Sequence, residues 1–230
     1  MLQSSVIRNS FRNRISQLEN SVSSFTVDII LKPGCFPALT SNYYYHKEGR
    51  IWDAVHYETG EWPLAYAVFM PAYSKDFAGS VGVYAKSLSI LTYMKYEEVA
   101  EWENSFNTVS RESPRGEAYE NFKTQKAEIL IDLVSEKFPA LRECIDRYFT
   151  ATPLSYRDYM GNMDGTMYGI VKDFRDPLKT MISPRTKLPN LYFTGQNLNM
   201  HGILGVAMTA VQTAVAILDS DELIDRIRNQ

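Results

Sequence analysis

The 230-residue sequence predicts an α+β fold: a mixed or antiparallel sheet covered by one long helix, followed by a C-terminal strand, a glycine-bearing loop and a helix. Three observations predict it. Apolar and polar residues alternate in the early part of the chain, the period of half-buried strands. After Gly116 the apolar spacing becomes helical. Residues 188–218 then run from a short apolar strand through glycines into a helix rich in alanine. At about 150 residues per domain the chain amounts to roughly one and a half domains, enough for one sizeable core and part of a second.

Taken in order, Val6, Ile7, Phe11, Ile15 and Leu18 recur at helical spacing among arginines and asparagines, so residues 1–23 read as an opening amphipathic helix. Ser24 to Lys32 alternates, with Phe25, Val27, Ile29 and Leu31 on one side, and Pro33-Gly34 ends it. Leu64 to Met70 and Ser87 to Tyr96 are further strands, rich in β-branched and aromatic residues. From Glu117, a stripe of Phe122, Ile129, Leu130, Leu133, Val134 and Phe138 predicts the covering helix, which Pro139 stops. Ile145 to Thr152 is another strand. Tyr156 to Gly169 reads as a loop, flexible in backbone at Gly161, Gly165 and Gly169 and apolar in side chain at Met160, Met163 and Met167.

Composition removes several function classes. Lys and Arg number 24 against 27 Asp and Glu, which leaves no excess of positive charge to hold a phosphate backbone, so no nucleic-acid partner is expected. Cys35 and Cys144 stand far apart in sequence, a spacing that fits neither a disulfide framework nor a zinc site and points to a reducing, cytoplasmic setting. The first residues contain no apolar run of signal-peptide length. The longest apolar run, Leu204 to Leu218, is interrupted by Thr209, Gln212 and Thr213 and is shorter than the roughly 20 residues a membrane helix requires, so no transmembrane segment is expected. No carboxylate pair or metal-ligand cluster stands out, and Glu97, Glu98, Glu101 and Glu103 read as a solvated surface.

The segment that carries chemistry is Leu188 to Leu218. Leu191-Tyr192-Phe193-Thr194 is a short apolar strand ending at Gly195, and the helix beginning near Gly205 carries Ala207, Ala210, Ala214 and Ala216. Strand, glycine loop and helix N-terminus bring unpaired backbone N–H groups toward a ligand and suit a phosphate or an electron-rich carbonyl. A purely structural glycine turn is the competing reading.

These residues resemble the C-terminal signature of the FAD-dependent phytoene desaturase family, and more closely its retinol saturase-like branch (all-trans-retinol 13,14-reductases). The resemblance is carried by Thr194-Gly195-Gln196 and by His201-Gly202-Ile203-Leu204-Gly205-Val206-Ala207. Asn42-Tyr43-Tyr44-Tyr45-His46, Thr152-Pro153-Leu154 and Gly165-Thr166-Met167-Tyr168-Gly169 agree with the same branch. It implies a substrate-binding domain over residues 24–185, a C-terminal FAD-domain segment over 186–220 and a tail over 221–230. It further implies that Gly195, Gln196, Gly202, Ile203, Leu204, Gly205 and Val206 approach the flavin, and that Tyr44, Tyr45, Met163, Met167 and Tyr168 line a pocket for an apolar, isoprenoid, retinoid or carotenoid-like substrate. His201 is a catalytic candidate by position, with bonding to a loop carbonyl as the alternative. Aromatic clusters after strands are more often core, which is the competing reading of the tyrosines.

The family's opening G-x-G-x-x-G turn for the FAD pyrophosphate is missing from these twelve glycines. The resemblance therefore implies the C-terminal part of an FAD-dependent oxidoreductase that saturates or desaturates a carbon–carbon bond, inactive alone and holding FAD weakly or not at all without an N-terminal FAD-binding half. Exposed apolar residues of the final segment would then favour a homodimer. Attachment to a membrane surface is compatible with this reading. Two other classes stay open: a stand-alone module for an apolar ligand without redox activity, and a structural subunit completing a separate FAD-binding half.

Overall fold

The structure, a computed structural model, describes residues 4–71, 83–111 and 113–229. In chain order these form α1 (Asn9–Ser16), β1 (Ser23–Leu31), β2 (Tyr43–His46), β3 (Ala65–Phe69), β4 (Ser87–Met94), α2 (Glu117–Lys137), α3 (Leu141–Cys144), β5 (Ile145–Ala151), α4 (Pro153–Met160), α5 (Pro177–Thr180), α6 (Gly202–Leu218) and α7 (Glu222–Arg228), with short 3₁₀ turns between. Two compact units share them. One comprises Val22–Gly165, the other Met1–Ser21 with Thr166–Gln230.

The first unit is an α+β layer. Its five strands run in the order β2-β3-β4-β1-β5, and every neighbouring pair is antiparallel. Of the two arrangements the alternation allowed, the sheet is thus antiparallel throughout. Phe25, Val27 and Ile29 of β1 and Leu88, Ile90 and Met94 of β4 project from one face into the core, where they meet Ala127, Leu130, Ile131 and Val134 of α2. Burying a leucine or isoleucine side chain stabilises by about 1.5–3 kcal/mol, so this face holds the layer together.

Three expectations are corrected. Residues 156–160, expected to open a loop, belong to helix α4 (Pro153–Met160): Thr152 Oγ1 accepts from the Leu154 N–H at 3.1 Å, Ser155 Oγ accepts from the Thr152 N–H at 3.2 Å, and Pro153 occupies the first turn. This reciprocal cap fixes a helix before the glycines begin. Leu191 to Thr194 is not a strand in a sheet: among the described residues its strand-type pairing is limited to a bridge between Arg185 and Tyr192 and a Phe193 N–H to Pro184 carbonyl bond of 2.8 Å, and the Leu191 and Phe193 carbonyls accept from threonine hydroxyls instead. An apolar run becomes a strand only where a neighbour completes the ladder.

The third correction concerns the cysteines, which form a disulfide with Cα atoms 5.4 Å apart across 109 positions. The β1–β5 pairing brings them together, and the Lys32 N–H donates to the Cys144 carbonyl at 2.8 Å beside the bond. Sequence spacing does not report spatial distance, and the cysteines no longer argue for a reducing compartment. Among the described residues, no helix is long and apolar enough to cross a membrane.

Candidate functional site

The C-terminal unit is built around α6, and its burial pattern is inverted. The helix buries Gly205, Thr209 and Thr213, a stripe at i, i+4 and i+8. Thr213 Oγ1 donates to the Thr209 and Phe193 carbonyls at 2.8 and 3.0 Å, which seats the stripe on the 191–194 segment. The larger apolar residues face outward instead: Ile203 is 96% exposed and Leu204 74%, with Val206 and Met208 also exposed. Gly205 lies in this packing, since a Cβ there would stand 2.7 Å from Met200 Cβ.

Gly195 and Gly202 differ from Gly205. Their φ angles are +97° and +76°, the left-handed region that disfavours other residues. Nothing lies within 4 Å of where a Cβ would point from either. Their backbone therefore borders open space, and Gly202 opens α6, where His201 at the N-cap makes no side-chain cap bond. Unpaired N–H groups and the positive end of the helix dipole remain available there.

The loop between these glycines is braced. Asn197 Oδ1 accepts from the Ile170 N–H at 3.0 Å, and Lys172 Nζ donates to the Asn197 and Leu198 carbonyls at 2.8 and 3.1 Å. Burial holds the Lys172 ammonium below the usual lysine range. The Tyr168 and His201 rings lie 4.6 Å apart, so the structure joins two stretches that are more than thirty positions apart in sequence. Asn199 Nδ2 donates to Gln212 Oε1 at 2.9 Å, while its buried Oδ1 has no partner. Sequence reasoning missed Asn199. Only its place between Gly195 and Gly202 could have signalled it.

The proposed substrate residues divide between the units. Met167, half-buried, and Tyr168 belong to the C-terminal unit, whereas Tyr44, Tyr45 and Met163 belong to the sheet unit. Tyr44 and Tyr45 occupy opposite faces of β2. Tyr45 stacks on Tyr66 with ring centres 5.1 Å apart and lies under the Lys137 ammonium, on the α2 side. Tyr44, 68% exposed, sits on the other face with the Phe69 ring edge-on at 5.8 Å. A row of register partners continues that face: Ala67, Leu91, Thr26 and Ala151. Met163 is exposed in the turn after α4.

Elsewhere in the sheet unit, charged groups are spent on architecture. The buried Asp158 carboxylate pairs with Arg115 and Arg157 and accepts from the Asn107 N–H at 2.8 Å. The Glu98 side chain, expected on a solvated surface, is buried instead: it accepts from the Tyr57 hydroxyl, and its other oxygen pairs with Lys126 at 2.5 Å. Among the described residues, no group of three or more His, Cys, Asp or Glu side chains is arranged to hold a metal.

Comparison with known proteins bears out the resemblance to the retinol saturase-like branch. The chain is 28% identical over 181 residues to the all-trans-retinol 13,14-reductase of Homo sapiens, covering 73% of this chain and 28% of that protein. It is 25% identical over 136 residues to the protein of that name in Danio rerio, covering 58% of this chain and 22% of the relative. A second Danio rerio relative, 26% identical over 170 residues, covering 73% of this chain and 27% of its own length, bears the name inactive all-trans-retinol 13,14-reductase. The chain thus spans about a quarter of the length of the relatives it matches. No family model matches.

Proposed function

We propose that this chain supplies the flavin-ring end and the apolar substrate wall of an FAD-dependent oxidoreductase acting on a carbon–carbon bond of a retinoid-like substrate. The observation that carries the reading is the pair Gly195 and Gly202, both at positive φ with open space before them, Gly202 opening helix α6, whose N-cap His201 makes no side-chain cap bond. In this reading residues 186–220 are an FAD-domain segment, residues 24–185 bind substrate, residues 1–23 lead into that domain, and residues 221–230 are a tail. The adenosine and pyrophosphate contacts come from a dinucleotide-binding part outside these 230 residues.

The residues present fit such a cofactor. Gly195 and Gly202 offer backbone to a planar ring without side-chain obstruction, with Gln196 next to Gly195 in the same loop, and the buried Asn199 Oδ1 is an acceptor in want of a donor. The α6 N-terminus favours negative charge on the side of the ring it faces. Ile203, Leu204 and Val206, exposed in this chain, gain cover when the rest of the FAD domain is in place and keep water from the site. Gly205 contributes by letting Met200 approach α6. When bound, FAD supplies the hydride equivalent exchanged with the substrate double bond. In the sheet unit, Tyr44 with Phe69 and, at a separate place, Met163 are the apolar groups offered to a polyene, and in the C-terminal unit Met167 and Tyr168 are, whereas Tyr45 serves the sheet–helix core. His201, its ring tilted against that of Tyr168, holds the loop and needs no proton-transfer role.

The test is to co-express this chain with the dinucleotide-binding part of the human relative and supply all-trans-retinol with a reductant. A product heavier by two hydrogens is the expected result for a reductase. Flavin capture with no conversion of retinol, of its dihydro product or of a carotenoid would overturn the substrate assignment.

A further inference from the structure

Within the C-terminal unit, α1 and residues 183–193 enclose a cavity of about 290 Å³ that the functional reading does not use. Its floor is apolar, formed by Ile7, Phe11, Leu191 and Phe193. Its rim is basic, with Arg8, Arg14, Arg185 and Lys187 among the lining residues and no carboxylate. Two of these cations are committed. Arg14 donates to the Lys179 and Met181 carbonyls at 3.2 and 3.1 Å, and Arg185 pairs with Asp219 at 2.9 Å while donating to the Ala216 carbonyl. The other two, Arg8 and Lys187, are exposed and have no ion-pair partner among the described residues.

We propose that this cavity binds a single-chain amphiphile with an anionic head, the chain on the four apolar side chains and the head between Arg8 and Lys187. Charge complementarity selects the head. A neutral ligand would leave the two free cations unanswered, and a bare anion would leave the apolar floor wet. The volume sits at the small end of ligand pockets, which run roughly 300–1,000 Å³, so the cavity takes a short chain or the end of a longer one. Carboxylate and phosphate heads share this chemistry. The inference stands independently of the flavin reading, since every residue it uses lies in the unit that contains α1 and residues 166–229.

Calorimetric titration of the whole chain tests it, using decanoate, decyl phosphate, decan-1-ol and inorganic phosphate, each below any micelle-forming concentration. Saturable one-to-one binding of decanoate or decyl phosphate is expected, with decan-1-ol and inorganic phosphate at least about tenfold weaker. The stronger of the two anionic probes identifies the head. The double variant Arg8→Glu/Lys187→Glu, both positions exposed, should melt as the parent does and bind the anionic probe at least about tenfold more weakly. Absence of saturable binding by both anionic probes, equal binding of the alcohol, or an unchanged affinity in the double variant would overturn the proposal.

Discussion

Two glycines of one loop–helix junction owe their identity to different forces. Gly205 is fixed by packing: a Cβ would come within 2.7 Å of Met200 Cβ and 2.8 Å of its carbonyl carbon. Gly202 is fixed by backbone conformation alone, since its surroundings are open. Gly205→Ala should therefore lower the stability of the C-terminal unit by about 1–3 kcal/mol through overpacking, read as a drop in its melting temperature. Gly202→Ala should cost about 1–2 kcal/mol from the left-handed conformation, with no clash to relieve. Both glycines were legible as a motif, but nothing in the sequence separated the packing role from the open one. That distinction depends on Met200, whose approach to α6 is a property of the folded loop.

Tyrosines of the sheet unit set its alkaline limit. Burial, then the neighbouring Tyr45 and Glu136, pushes Tyr66 up to about 12. Burial and the hydrogen bond to Glu98 raise Tyr57 further, and burial also raises Tyr119 and Tyr156. An unfolded tyrosine loses its proton near about pH 10, so between about pH 10 and 12 the unfolded chain binds fewer protons than the folded one. Stability is fully present below that window and falls as pH rises through it. Urea unfolding at about pH 9 and about pH 11 should give a lower midpoint at the higher pH, with tyrosinate absorbance appearing at unfolding.

At the level of elements, legibility followed the source of each element's stability. The strand at Phe25, Val27, Ile29 and Leu31 was readable because its own alternation matches the sheet face it buries. Helix α2 was readable as a helix by its period, but its buried face was read only in part: Leu130 and Val134 are buried as expected, whereas Ile129 is exposed and Tyr119, Ala127 and Ile131 complete the face. The segment Leu191 to Thr194 looked equally strand-like, yet among the described residues it makes no ladder beyond the single Arg185–Tyr192 bridge. Helix α4 was misread although its cap, Thr152 with Ser155, is written in the sequence, because the glycines that follow it dominated the reading. The disulfide was illegible for a different reason. Only the antiparallel register of β1 with β5 carries Cys35 to Cys144.

That bond closes a loop of 109 positions, and a cross-link of this span stabilises by about 4–5 kcal/mol, chiefly by restricting the unfolded chain. Purified protein denatured without reductant should show no reactive thiol, and two after reduction. Cys144→Ser should lower the urea midpoint of the sheet unit. Two reactive thiols before reduction would remove the bond from the native protein.

For the whole molecule, the inverted burial of α6 ties fold to function. Helix α6 hides threonines and exposes Ile203 and Leu204, an apolar surface of the kind that marks an interaction site. The flavin reading covers that surface with the remainder of an FAD domain, and a homodimer through the same residues is the competing occupant. Sedimentation separates them: the co-expressed complex should contain one copy of each part, whereas a stable dimer of this chain that excludes the dinucleotide-binding part would favour self-association.

The most direct test is the flavin absorbance of the purified co-expressed complex, measured for the parent chain, Gly202→Leu and Gly34→Leu. Both glycines have positive φ and open surroundings, at +76° and +68°, but only Gly202 borders the proposed ring site. The parent and Gly34→Leu complexes should retain FAD through gel filtration, Gly202→Leu should lose it, and the chain purified alone should carry little or none. Stoichiometric FAD on the chain alone, or full retention by the Gly202→Leu complex, would contradict the assignment of this loop to the flavin.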